Sequence, residues 1–224
     1  MGVCYKRGVG VERNLEKSVE YFLISAKLGF AAGQCNLGVA FLTGKGISKD
    51  YKKSVLWLEK AVKQDYATAF EYLGRCYREG KGVTKNLIKA FELTKYAASQ
   101  GYAKAQFILG LCYANGTGVR QNNKETVYWY RKSANQGYAN AQNNLGNCYK
   151  YGKGCEKSLE LAVDLFLKSS EQGNIKAFCN LAICYEEGTG VEKNLKTAIA
   201  YYRKAANQGD KFAEEKLMKL EQNK

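Results

Sequence analysis

GRCYREGKGVTKN, residues 74–86, decides the fold because its pattern occurs six times. Moving along the chain in steps of 36 residues gives GVCYKRGVGVERN from Gly2, GVAFLTGKGISKD from Gly38, GLCYANGTGVRQN from Gly110, GNCYKYGKGCEKS from Gly146 and AICYEEGTGVEKN from Ala182, with no insertion. A fixed period of this length marks a repeat architecture, in which each unit buries its apolar face against its neighbours. Upstream of the motif the spacing Ala69, Leu73, Tyr77, repeated as Ala105, Leu109, Tyr113, puts one apolar stripe on a helix, termed helix A. Leucine recurs in that stripe at Leu37, Leu73, Leu109, Leu145, Leu181 and Leu217.

The Gly-x-Gly pair that follows, as at Gly80 and Gly82, stops helix A, since a left-handed residue after a helix is least strained without a Cβ. Val83 and its equivalents are expected to plug the loop onto the core. Next, Asn14, Asp50, Asn86, Asn122, Ser158 and Asn194 share one register, and each can accept a hydrogen bond from the free N–H groups of a helix start. A second helix, helix B, begins there and ends at Gln-Gly in most copies. Its inward residues are expected at Ala90, Leu93 and Ala97, or Thr126, Trp129 and Ser133. Tyr21, Trp57, Trp129 and Tyr201 are expected to fill the space between pairs.

The pattern A-x-A-x-x-x-L-G-x-C-Y-x-x-G-x-G-V-x-x-N, followed by A-x-x-W-Y-x-K-A-A-x-Q-G-Y, resembles the Sel1-like repeat, and the resemblance covers nearly the whole chain. It implies an all-α fold, a right-handed α/α superhelix of 36-residue helix-turn-helix repeats related to tetratricopeptide repeats. It also implies a scaffold or adaptor that binds other proteins in signalling, protein quality control or host–microbe contact. Local departures are Ala182 for the helix A glycine, Cys155 for the loop valine and Asp65 for a terminal glycine. The chain reads as one repeat domain: a partial first repeat at 1–30, full repeats at 31–66, 67–102, 103–138, 139–174 and 175–210, and a capping helix at 211–224. Lys216, Lys219, Glu221 and Lys224 are expected on the outside of that last helix. The start within a helix A suggests a piece of a larger protein.

Eight cysteines and no histidine narrow the chemistry. Cys4, Cys76, Cys112, Cys148 and Cys184 share one register, where neighbouring helices lie about 10 Å apart, too far for a disulfide that needs Cα atoms within about 7 Å. They read as buried apolar thiols of a cytoplasmic protein, with Cys35, Cys155 and Cys179 as outliers. No CxxC occurs, so no metal and no cofactor are expected. Gly44, Gly80 and Gly152 open GKG tripeptides that lack the spacing and the Ser or Thr of a phosphate-binding loop. A rival enzyme reading, a secreted cysteine-rich relative with β-lactamase-like activity, would require cysteines eight residues apart. At that register the chain has Ala98 with Gln106, Ala134 with Gln142 and Val62 with Phe70, and it lacks a Ser-x-x-Lys motif. The expectation is therefore a protein without a catalytic centre.

The formal charge of +14 is concentrated as +12 in residues 1–138 and +2 in residues 139–224. Lys45, Lys49, Lys81, Lys85, Lys153 and Lys157, in the turns, are expected to form a basic edge able to attract acidic protein segments, with anionic lipid or nucleic acid ranked below. The other candidate site follows if helix A lines a concave face. Residues off its core stripe, at i, i+3, i+7 and i+10, then point into a groove. Arg75, Arg78, Lys104, Phe107, Leu111, Asn140, Asn143, Asn147 and Lys150 are the residues expected to hold a partner there, an acidic or amphipathic peptide segment.

Overall fold

The computed structural model describes residues 1–222, Glu221 by its backbone alone. It contains thirteen α-helices and no strand among the described residues. The helices of type A are α1 (Gly2–Arg7), α3 (Ala31–Thr43), α5 (Ala67–Glu79), α7 (Ala103–Asn115), α9 (Ala139–Tyr151), α11 (Ile175–Glu187) and α13 (Lys211–Gln222). Those of type B are α2 (Leu15–Lys27), α4 (Tyr51–Val62), α6 (Leu87–Ser99), α8 (Asn123–Asn135), α10 (Leu159–Glu171) and α12 (Leu195–Ala206). The all-α helix-pair fold is the one the sequence pattern implies. Of the expected cap at 211–224, Asn223 and Lys224 lie outside the described residues.

The helices fall into two compact units, one comprising Met1–Ala105 with Thr117–Arg120, the other Gln106–Gly116 and the chain from Gln121 onward. In the first, α2 presents Val19, Phe22 and Ala26 to Leu37, Ala40 and Phe41 of α3, with Ile47 and Trp57 packed around them. In the second, Val127, Tyr130 and Ala134 of α8 meet Ala141, Leu145 and Cys148 of α9. The same arrangement recurs with Ala162, Val163 and Phe166 against Leu181 and Cys184, and with Tyr202 and Ala205 against Ala213. Leu37, Leu73, Leu109, Leu145 and Leu181 are all buried, whereas Leu217 is only half-buried.

Each turn from helix A to helix B is built as its residues dictate. Gly80 adopts φ 69° and its N–H donates to Cys76 O. Asn86 accepts from Lys89 N–H at 2.9 Å through its side chain, while its own N–H donates to Tyr77 O at 2.9 Å. The capping bond recurs at Asn14, Asp50, Asn122, Ser158 and Asn194. The second glycine is required for a different reason, close approach of two backbones. A Cβ on Gly82 would lie 2.1 Å from the carbonyl oxygen of Tyr51, the first residue of the preceding helix B. Val11, Ile47, Val83, Val119, Cys155 and Val191 are half-buried at the plug position. Asp65, in the terminal-glycine register, takes φ 55° and accepts from Tyr96 Oη–H at 2.9 Å.

Three packing features differ from the sequence expectation or were not visible in it. First, Trp57 and Tyr201, half-buried, pack against the neighbouring clusters as expected, but the side chain that faces the helix A glycine register is one position further along. Phe22, Leu58, Tyr130, Phe166 and Tyr202 are buried there, whereas Tyr21 is 38% exposed. All but Tyr202, whose copy has Ala182, occupy the space left by the helix A glycine: a Cβ on Gly110 would lie 2.5 Å from Tyr130, and one on Gly146 2.6 Å from Phe166. Second, paired glutamines join the first turn of helix A to the residue that ends helix B, at 2.8 Å, in Gln34–Gln64, Gln106–Gln136 and Gln142–Gln172. Phe70 and Phe178 replace the glutamine in two copies, Phe70 stacking on Tyr96 at 4.3 Å and Phe178 on Tyr201 at 6.3 Å between ring centroids. Third, Lys216 is not simply an outward residue of a polar cap. Its ammonium pairs with Glu186 of α11 at 3.0 Å, and Tyr202 Oη–H donates to the same carboxylate at 2.5 Å.

Candidate functional site

The residues expected to hold a partner are divided between the two units, and the units present different chemistry. Arg75, Arg78 and Lys104 lie in the first. Arg75 Nε reaches Glu79 at 2.9 Å, Lys81 Nζ reaches the other oxygen of Glu79 at 2.7 Å, and Lys104 Nζ reaches Glu71 at 2.6 Å. Burial pushes the Glu79 carboxyl up, but the bonds from Lys81 and Arg75 outweigh it and hold the group below the usual carboxylate range. Much of the cationic cluster is thus compensated by carboxylates of its own helices, and Arg78, half-buried, makes no ion pair among the described residues.

In the second unit Phe107, Leu111, Asn140, Asn143, Asn144 and Lys176 line a cleft of about 530 Å³ between α7, α9 and α11. Asn174 closes it, donating from Nδ2 to Asn140 Oδ1 at 2.8 Å. Phe107 is fixed by Tyr138 and Tyr130, whose ring centroids lie 5.3 and 5.7 Å away. Asn143 is 2% exposed, and its carboxamide accepts from Asn180 Nδ2 at 2.8 Å and donates to Asn144 Oδ1 at 3.3 Å. Asn144 in turn donates to Tyr130 Oη at 3.4 Å. Asn143 therefore forms the wall of the cleft and holds its neighbours, and its amide is already engaged. Cys35 and Leu42, in the same helix A register, are buried as well, which corrects the expectation that all four positions of the register open onto a groove. Asn147 lines a different recess with Tyr130 and Tyr151, and Lys150 lies 5.7 Å from the Tyr151 ring centroid.

At the turns Lys45, Lys49, Lys85, Lys153 and Lys157 are exposed, and Lys81 is half-buried. Lys49, Lys85 and Lys157 also contribute packing that the sequence did not reveal. Their aliphatic stems lie against the left-handed glycine of the turn, Lys49 Cγ being 2.7 Å and Lys85 Cβ and Lys157 Cβ 3.4 Å from where a Cβ on that glycine would stand. Gln121 occupies this register in one copy and donates from Nε2 to Ala114 O at 2.9 Å.

All eight cysteines are free thiols. Burial pushes Cys148 up to about 11 and Cys35 and Cys179 up to about 12, far from the thiolate that nucleophilic chemistry requires. No cluster of Cys, Asp and Glu among the described residues could hold a metal ion. No helix among them is long and apolar enough to cross a membrane.

Helix pairs with Gly-x-Gly turns, capped second helices and a cleft on the A faces define a helical repeat protein. The Sel1 repeat model matches residues 1–30, 31–66, 71–102, 103–138, 139–174 and 176–210, and the chain belongs to the Sel1 repeat family, whose members are typically protein-interaction scaffolds and generally non-catalytic. It is similar to the crystal structure of c5321, a protective antigen present in uropathogenic Escherichia coli strains displaying an SLR fold, at 34% identity and a TM-score of 0.85. That match covers 98% of this chain and 47% of the antigen, so the chain spans about half of that relative's length. A Sel1 repeat protein from Oxalobacter formigenes is 34% identical with a TM-score of 0.81, over 91% of this chain and 82% of the other. Immunity protein Pa5087 from Pseudomonas aeruginosa shares the fold, at 22% identity and a TM-score of 0.60, over 92% of this chain and 81% of its own. No curated protein matches the chain.

Proposed function

We propose that this chain is a cytoplasmic scaffold that holds a segment of another protein against its helix A faces, chiefly in the cleft of α7, α9 and α11. The observation that carries this reading is the cleft itself, about 530 Å³ with an apolar end at Phe107 and Leu111 and a polar end at Asn140 and Lys176. A concave site with apolar walls and a few placed polar groups is the form that recognition sites take. Lys176, exposed at the rim, favours an acidic residue in the bound segment, and Phe107 favours an apolar one. The free thiols favour a reducing compartment. Family membership and the absence of a depressed thiol pKa at Cys35, Cys148 and Cys179 favour binding over catalysis.

Photo-crosslinking tests the reading. A benzophenone side chain is placed at Asn140 or Lys176, on the cleft, and at Glu160 or Asp164, exposed on α10. Crosslinks to a partner protein from the first pair only are the expected result. Crosslinks from the α10 positions alone, or equally from all four, would overturn it.

A further inference from the structure

The turn lysines Lys45 and Lys153 have an additional setting. Lys45 stands at the mouth of a pocket of about 170 Å³ in the first unit, whose floor includes Val19, Phe22 and Ala40 and whose rim includes Lys6 and Tyr72. A cavity of about 150 Å³ lined by apolar groups accommodates a benzene-sized molecule, so this pocket matches one bulky apolar side chain. Lys153 stands at the mouth of a pocket of about 320 Å³ in the second unit. The two pockets occupy the same place in the repeat, three repeats apart: Tyr130 stands in the register of Phe22, Cys148 in that of Ala40, Asn144 in that of Asn36 and Lys153 in that of Lys45.

Neither pocket has an aspartate or glutamate in its lining. Neither lysine makes an ion pair among the described residues, in contrast to Lys81, in the first of the two intervening copies, which is bound to Glu79; the second carries Thr117 in this register. For Lys81, Leu42, at 4% exposure, takes the position held by Lys6 and Ala114 in the two pockets. Each recess pairs a buried ring, Phe22 or Tyr130, with polar walls that include Asn36 or Asn144, and an uncompensated ammonium at its lip makes it complementary to an apolar group that has a carboxylate beside it.

We propose that these two pockets each take a bulky apolar side chain flanked by aspartate or glutamate on a partner's extended segment. The inference rests on the reading of the chain as a scaffold and specifies what it holds.

Random peptides displayed on phage are panned on the wild-type chain and on Lys45→Glu/Lys153→Glu. Lys45 and Lys153 are exposed, and circular dichroism checks that helicity and melting are retained, with Lys45→Gln/Lys153→Gln as a second variant. Wild-type selections are expected to converge on an acidic residue beside Leu, Ile, Phe, Tyr or Trp. A fluorescein-labelled peptide from the selection should bind the charge-reversed variant at least about tenfold more weakly, with the neutral variant between, and should weaken with added salt. Selected peptides that lack the pair, or that bind the variants as well as wild type, would overturn this inference and leave the scaffold reading intact. Selections that enrich no peptide at all would overturn both.

Discussion

Two glycines in the same register of helix A should respond oppositely to the same substitution. Gly74→Ala adds a methyl group whose nearest neighbours are Ala90 O at 3.4 Å and Thr94 Oγ1 at 3.5 Å, ordinary contact distances, because threonine holds the position where other copies carry a large side chain. The change then acts through helix propensity, a gain of about 0.8–1.0 kcal/mol, and raises the melting temperature by about 2–4 °C for a chain of this size. Gly38→Ala has the same propensity gain, but its methyl would lie 2.8 Å from Leu58 Cγ and 3.1 Å from Ser54 O. Leu58 is 0% exposed and cannot swing away, so overpacking of about 1–3 kcal/mol outweighs the gain. Guanidinium unfolding followed by circular dichroism should therefore separate the two variants by about 1–3 kcal/mol, with Gly74→Ala more stable than wild type. In Gly38→Ala/Leu58→Ala the clash is gone, so the two costs should fall short of additivity by a similar amount. Equal shifts for the two glycine variants, or a destabilised Gly74→Ala, would refute the size-matching argument.

Other outcomes follow from the same geometry. Asn122→Ala removes a cap that accepts from both Lys124 and Glu125 N–H and should cost about 1–2 kcal/mol, measured by urea unfolding, whereas Asn122→Asp should cost little. Burial pushes the Glu186 carboxyl up, but Tyr202 and Lys216 more than offset this and leave it below its ordinary value. Its contribution is then present above the unfolded carboxyl pKa of about 4.3 and is lost as the pH falls through the lower folded value. The stability advantage of wild type over Glu186→Gln should accordingly shrink below about pH 4, and a gap that is constant from pH 3 to 7 would contradict the pairing. In thiol titration with an aromatic disulfide reagent all eight cysteines should react after denaturation without reductant, while Cys76, Cys112, Cys148 and Cys184 react slowly in the native chain.

The elements of the fold were legible because their signals are local. A left-handed glycine, a capping asparagine and a leucine every 36 residues each have one physical reading, and the repeat multiplies it. What escaped is what depends on how a helix crosses its neighbour. Gln142 reads as a surface residue by composition, yet it is 6% exposed because Gln172, from the end of the adjoining helix, satisfies its carbonyl. Periodicity points Thr126, Trp129 and Ser133 inward, and Thr126 and Ser133 are buried with Trp129 half-buried, but it does not reveal that Tyr130 is the side chain that Gly110 admits. The candidate binding residues share nothing in the sequence but their register. Register brought Phe107, Leu111, Asn140 and Asn143 to one cleft but could not reveal that Glu71 and Glu79 would engage Lys104 and Arg75.

The close approach of Gly82 to the Tyr51 carbonyl recurs as Gly46 on Leu15, Gly118 on Leu87, Gly154 on Asn123 and Gly190 on Leu159. Each turn is thereby indexed to the start of the preceding helix B, and the intervening stretch acts as a ruler of fixed length in every copy. A whole added repeat would keep every one of these contacts in place. In this way a recognition face can be extended, and its variable residues exchanged, without resetting the register of the copies on either side.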